Sequence, residues 1–273
     1  MDDAAPDPAR LADAFAAAFT RMGRGTLRAL TSFGRAGLDY ALPPTCMACA
    51  RAVDEPGGLC ASCWGRLDFI TEPLCHRLGI PLHEGGSRLS PAALEHPPAY
   101  GRARAAVSFG DVARDLVHGL KYADRTDLAD PLAGLMARAG AELLRDAEAL
   151  VPVPLHPRRL FRRRFNQSAL LALGIERRAG VPMRSGWLAR LRATTPQVGL
   201  DRAARAGNVA GAFAVPEAAR AEVAGRGIVL VDDVLTTGAT IDACTKALMR
   251  AGAKRVDVLV FARVVDAPTT PIS

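Results

Sequence analysis

The stretch GIVLVDDVLTTGAT, residues 227–240, decides the fold. An unbroken run of branched apolar residues suits a parallel strand covered on both faces, since neither face meets water. The run ends in two adjacent carboxylates, Asp232 and Asp233. A turn of small residues follows, Thr236, Thr237, Gly238, Ala239 and Thr240, before a helical pattern begins. Such a strand–turn–helix junction aims the free amides of the turn and of the first helical residues at one anion. The threonine hydroxyls add donors, and Gly238 lets the backbone approach a ligand closely. The acid pair would then stand beside that anion, able to accept from vicinal hydroxyls and to help hold a divalent cation, beyond the carboxyl end of the strand. One Asp here could be a plain helix cap and one Thr an ordinary turn residue, but that does not account for the whole constellation.

Outward from this stretch the pattern alternates. Residues 102–110, 149–155, 227–233 and 255–263 read as strands, and residues 111–123, 126–147, 166–180 and 240–253 have helical apolar spacing. Gly180 and Gly252 stand where helices should end. Alternating strands and helices, with two strands fully apolar, predict an α/β fold with a parallel sheet flanked by helices. Neither G-x-x-x-x-G-K-[ST] nor G-x-G-x-x-G occurs, so the commonest phosphate loops are excluded.

The net charge of +7 is unevenly spread. Residues 150–207 hold twelve arginines against only Glu176 and Asp201, a segment charge of +10, which leaves −3 for the remainder. The densest part, HPRRLFRRRFNQ at residues 156–167, implies an anionic partner, a polyphosphate or a nucleic acid. No apolar stretch is long enough for a membrane span, and the acidic start MDDAAPDPAR does not resemble a secretory signal, so a cytoplasmic location is expected.

Cys46, Cys49, Cys60 and Cys63 form C-x2-C-x10-C-x2-C. Two tight turns, each offering two thiolates, complete a tetrahedral shell of four sulfurs, which predicts a structural Zn2+. Cys75 stands apart; with His76 and His83 it supplies at most part of a second site. Cys244 reads as a small buried hydrophobe. The Pro- and Gly-rich stretch 79–101 marks a change of module. The expected organisation is a tail and short helix over 1–40, a ribbon module over 41–82, and the α/β domain over 100–266.

IVLVDDVLTTGAT resembles the phosphoribosyl pyrophosphate signature of type I phosphoribosyltransferases. PPTCMAC, LCASCW, HGLKYADR, VPVPLHPRRLFRRRFNQSALLA and LARLRATTPQVGLDRAARAGNVAGAF extend the resemblance to the ComF family over about residues 40–264. That resemblance implies a type I phosphoribosyltransferase fold with an N-terminal zinc ribbon, Mg2+ bound together with phosphoribosyl pyrophosphate (PRPP), and displacement of pyrophosphate onto an acceptor. The turn residues Thr236 to Thr240 would bind the 5′-phosphate, and Asp232 and Asp233 would anchor the sugar. VPVPLHPRR looks like the pyrophosphate loop, with Arg158 and Arg159 as ligands and Asn166 and Gln167 close behind. Arg192, Thr195, Gln197, Arg202 and Asn208 match the family's closing loop, with Arg192 and Arg202 expected to act in catalysis, and Lys121 matches a family position.

Two departures stand out. The family usually reads R-G-F-N-Q where this chain has Arg164, and Leu78 stands where many members carry a cysteine partnering Cys75, which points to one zinc. The family's association with natural competence implies a second reading: a DNA-uptake factor whose ribbon and arginine block bind single-stranded DNA, beside competence-machinery proteins, with the phosphoribosyl site regulatory or vestigial. Only Phe161 and Phe165 interleave the arginines, so such binding would be largely electrostatic and salt-sensitive.

Overall fold

The computed structural model describes residues 43–82, 87–122, 125–192 and 211–265. In chain order its main elements are β1 (Ala103–Ser108), α1 (Asp111–Tyr122), α2 (Ala129–Ala139), β2 (Ala149–Pro152), α3 (Pro157–Arg163), α4 (Gln167–Ala179), β3 (Ala189–Arg190), β4 (Phe213–Ala214), β5 (Gly227–Leu235), α5 (Ala239–Arg250) and β6 (Arg255–Arg263). Four strands form one sheet in the order β1-β6-β5-β2. Every pairing in it is parallel.

The apolar strands serve two cores at once. Ile228, Leu230, Val256, Val258 and Val260 pack on the α5 side with Ile241, Cys244 and Leu248. Val229, Val231, Leu259 and Phe261 pack on the other side with Leu116, Leu120, Leu132 and Leu171 from α1, α2 and α4. Successive strand residues point to opposite faces, so a sheet covered twice needs both parities apolar. The predicted helix over 126–147 is broken at Gly140. A Cβ there would lie 2.6 Å from Leu259, so α2 comes down on the sheet and ends, and a separate turn, Ala141–Arg145, follows.

β1 is an edge strand, and the cysteine-bearing segment covers it. Ile70 N donates to Ala106 O (3.1 Å), Ser108 N to Asp68 O (2.8 Å) and Ala103 N to Arg77 O (2.9 Å). The buried Arg104 donates to the carbonyls of His76 and Ala103 and pairs with Glu142, while Arg263 donates to Leu78 O at 2.7 Å. Two amides of β1, those of Ala103 and Ser108, are thus paired within the chain, and part of the edge is covered against foreign pairing.

Candidate functional site

A cleft of about 490 Å3 opens where β2 and β5 end. Thr236, Gly238, Ala239, Thr240 and Ile241 line one end of it. Gly238 holds φ 84°, a left-handed conformation that a side chain would strain, and it caps the twelve-residue α5. The first amides of that helix have no carbonyl partner within the helix and carry its positive dipole end. The Thr237 hydroxyl is buried without a hydrogen-bond partner among the described residues, and Thr237 does not line the cleft.

Asp232 and Asp233 form the floor. Asp232 Oδ1 accepts from Ser168 Oγ (2.8 Å) and from the Asp233 amide (2.9 Å). Burial, reinforced by the charge of Asp233, pushes the Asp232 carboxyl up to about 7; Lys121, Ser168 and the amide oppose that rise. Asp233 is 3% exposed, and its Oδ2 lies 2.9 Å from the Lys121 ammonium.

Arg158 and Arg159, which the resemblance puts in a pyrophosphate loop after VPVPLHP, stand in the first turn of the helix α3. Pro157 supplies a preset φ at its start, and the His156 ring accepts from Arg158 N. This coil sorts the arginines. Arg159 and Arg163, four residues apart, line the cleft, whereas Arg158 is exposed and lies outside its lining. Arg158 is therefore not brought to the site. Asn166 is also structural here: its side chain caps α4 by accepting from Ser168 N and donates to Val153 O at 3.0 Å. Gln167 does line the cleft and accepts from Arg163 at 3.3 Å.

Arg164 takes φ 64° as the α3 C-cap, so the position where the family carries glycine does need a left-handed residue. The geometry is kept, at a cost of about 1 kcal/mol for a residue with a Cβ. Arg190, not singled out from the sequence, lines the cleft from β3 and stacks 5.3 Å above Phe213 of β4. Burial, followed by the charge of Arg159, works against its own charge. Arg192 is exposed outside the cleft lining. Thr195, Gln197, Arg202, Asn208, His83 and the expected helix within 1–40 lie outside the described residues.

At the other end of the chain, Cys46, Cys49, Cys60 and Cys63 bring four sulfurs within 4.8 Å of one another, the one such metal-compatible group among the described residues. Cys49 and Cys60 Sγ are 3.7 Å apart, close to the edge of about 3.8 Å that a zinc–sulfur tetrahedron requires. Burial alone would raise the Cys46 thiol, but the amides of Cys49, Cys60 and Ala48 outweigh it and bring it to about 6; burial pushes Cys63 up to about 12.

Among the described residues the same turn recurs at Cys75 with one of its two thiols missing. Cys46 N donates to Arg51 O and Ala50 N to Cys46 O, with a bridge between Thr45 and Ala52. Cys75 N likewise donates to Ile80 O and Gly79 N to Cys75 O, with a bridge between Leu74 and Pro81. There Leu78 fills the place of the partner thiol, and the Cys75 sulfur accepts from Leu78 N, Ser90 N and Ser90 Oγ at 3.3–3.4 Å.

Comparison with known proteins agrees with this geometry. Residues 37–94 match the double zinc ribbon domain and residues 158–270 the phosphoribosyl transferase domain. The DNA utilization protein YhgH of Escherichia coli is 31% identical over 211 residues, covering 76% of this chain and 90% of that protein. Competence protein F of Haemophilus influenzae is 28% identical over the same length, with the same coverages. The solved structure of the allosteric regulatory enzyme of purine biosynthesis aligns over 52% of this chain and 29% of its own at 22% identity, with a TM-score of 0.36. The four-cysteine cluster and the matched ribbon support a structural zinc, and no helix among the described residues is long and apolar enough to cross a membrane. With a phosphoribosyltransferase-like domain behind a zinc ribbon, the chain belongs to the ComF/YhgH-like family of competence protein F homologues.

Proposed function

We propose that the cleft binds PRPP with Mg2+ and transfers its phosphoribosyl group to an acceptor nucleophile with release of pyrophosphate. The observation that carries this reading is the meeting, in one cleft, of the Gly238 turn, the Asp232–Asp233 pair and the arginines Arg159, Arg163 and Arg190. The turn takes the 5′-phosphate on amides and hydroxyls. Ser168 and the Asp233 amide fix Asp232, so it can accept from the ribose hydroxyls without reorganising. As the bond from C1 to the pyrophosphate oxygen lengthens, its electron pair leaves with the pyrophosphate. Arg159 and Arg163, which line the same cleft, would meet that growing negative charge. Asp232 and Asp233 would hold a divalent cation, which would supply further shielding of the same charge. Calorimetric titration of Mg2+ and PRPP should show binding in the micromolar range for the intact chain. The Asp232→Asn/Asp233→Asn protein should show none at millimolar ligand, and equal binding by the two would refute the assignment.

A second reading has its own observation. Turned away from the cleft, α3 presents Arg158 and Arg162 beside Phe161, which is 91% exposed, and Arg164 follows. A bare ring among cations offers a stacking platform and phosphate contacts to a single strand. Exchange of Arg158 and Arg162 for Glu should weaken binding of an oligothymidine about tenfold or more at moderate salt. PRPP binding should be untouched, as measured by fluorescence anisotropy beside calorimetry. Loss of both together would mean that the two faces of α3 are not independent.

A further inference from the structure

The two carboxylates at the floor of the cleft are held in different ways. Asp232 is fixed by two hydrogen bonds, from Ser168 and from the Asp233 amide. Asp233 Oδ2 is buried and makes no hydrogen bond of good geometry among the described residues; what faces it is the Lys121 ammonium at 2.9 Å. Lys121 comes from the last turn of α1, in a stretch that neither matched domain covers. Its side chain is 23% exposed and that of Asp233 is 5% exposed, so the pair is largely taken out of water. An ion pair so placed adds little to stability, because desolvation offsets the attraction. It does prevent two neighbouring carboxylates from facing each other uncompensated. Lysine also differs from arginine in the relevant respect: it is a compact charge on a flexible stem, able to change partners without breaking a forked geometry.

We propose that Lys121 is an exchangeable counter-ion. In the ligand-free cleft it neutralises Asp233; when the substrate arrives, it yields that carboxylate to the divalent cation, and its ammonium turns to the pyrophosphate beside Arg159 and Arg163. The inference rests on the phosphoribosyl reading of the cleft, and it assigns the acid pair an occupant in each state. A residue that only braced the fold would weaken every ligand when removed. An exchangeable counter-ion acts with opposite signs on the two ligands, since it competes with the cation and attracts the pyrophosphate.

The test uses Lys121→Met and Lys121→Arg in the full chain, with folding checked by near-ultraviolet circular dichroism. Mn2+ alone, followed by electron paramagnetic resonance of the free ion, should bind about tenfold more tightly to Lys121→Met than to the unaltered protein. Inorganic pyrophosphate, titrated by calorimetry, should bind about tenfold more weakly to Lys121→Met, and Lys121→Arg should recover part of that loss. Lys121→Gln serves if the methionine protein does not fold. Mn2+ binding that falls or stays unchanged overturns the proposal, and so does pyrophosphate binding that stays unchanged. Neither titration uses PRPP, so failure of the intact chain to bind PRPP would remove the proposed transferase function while Mn2+ and pyrophosphate still decide the role of Lys121.

Discussion

Stripping the metal with a strong chelator, or replacing Cys63 by Ala, should lower the melting temperature by roughly 6–12 °C. That corresponds to about 3 kcal/mol in a chain of this size, a modest share of what structural zinc contributes to isolated fingers. The effect should reach well beyond the ribbon. Cys46 and Cys63, each 1% exposed, belong to the same buried cluster as Leu116, Leu132 and Phe261. The segment that follows them covers the open edge of β1 through Asp68 and Ile70. Without metal the thiols revert to their own proton affinities, and Cys63, pushed up to about 12, holds its proton at any ordinary pH. Metal binding must therefore displace protons, so zinc affinity falls as the solution is acidified. Loosening the ribbon would bare the β1 edge, so aggregation on heating should accompany the lower transition. Elemental analysis should return one zinc per chain, unchanged by Cys75→Ser, because the Cys75 sulfur has its three donors without a metal. A melting temperature indifferent to chelation would show that the ribbon does not depend on its metal.

How much of this was legible in the sequence follows from the range of the interactions involved. The strands β5 and β6 were legible because both faces are covered, which leaves an unbroken apolar run. The turn at Gly238 and the Cys46–Cys63 cluster were legible because each is defined by residues close together in the chain. The helix break at Gly140 was not, since it is set by the approach of Leu259 from a distant strand. Arg190 was lost among many arginines because its place depends on β3 pairing with β4 across a long intervening segment. Arg158 and Arg159 look equivalent in a string of basic residues. Only the helical turn of α3, started by His156 and Pro157, sends one to solvent and the other to the cleft. The Lys121–Asp233 pair joins α1 to β5, a contact that no local pattern announces.

Asp232→Asn should make the ligand-free protein more stable while weakening its binding of PRPP. In an unfolded chain this carboxyl ionises near 4. In the folded protein burial, then the charge of Asp233, raises it to about 7. The folded state thus holds its proton more tightly than the unfolded state, so the favourable contribution is fully present only below the unfolded value. It is lost as pH rises through the folded value, and above that the ionised side chain is a net cost. Asparagine keeps what is useful: its Oδ1 can still accept from Ser168 and from the Asp233 amide. It carries no charge to desolvate or to repel Asp233. The gain should be about 1–3 kcal/mol near pH 8.5, discounted for solvent entering from the cleft, and roughly half as large near pH 5.5. Urea unfolding at the two pH values measures it, with zinc present throughout so that the ribbon contributes equally. PRPP affinity in the presence of Mg2+ should meanwhile fall about a hundredfold, as expected when charged acceptors of two hydroxyls become neutral. Destabilisation at the higher pH would mean that Asp232 is held by the fold for its own sake. Stabilisation with the affinity reduced identifies it as a residue whose part-buried charge is kept for the ligand, at the expense of the empty protein.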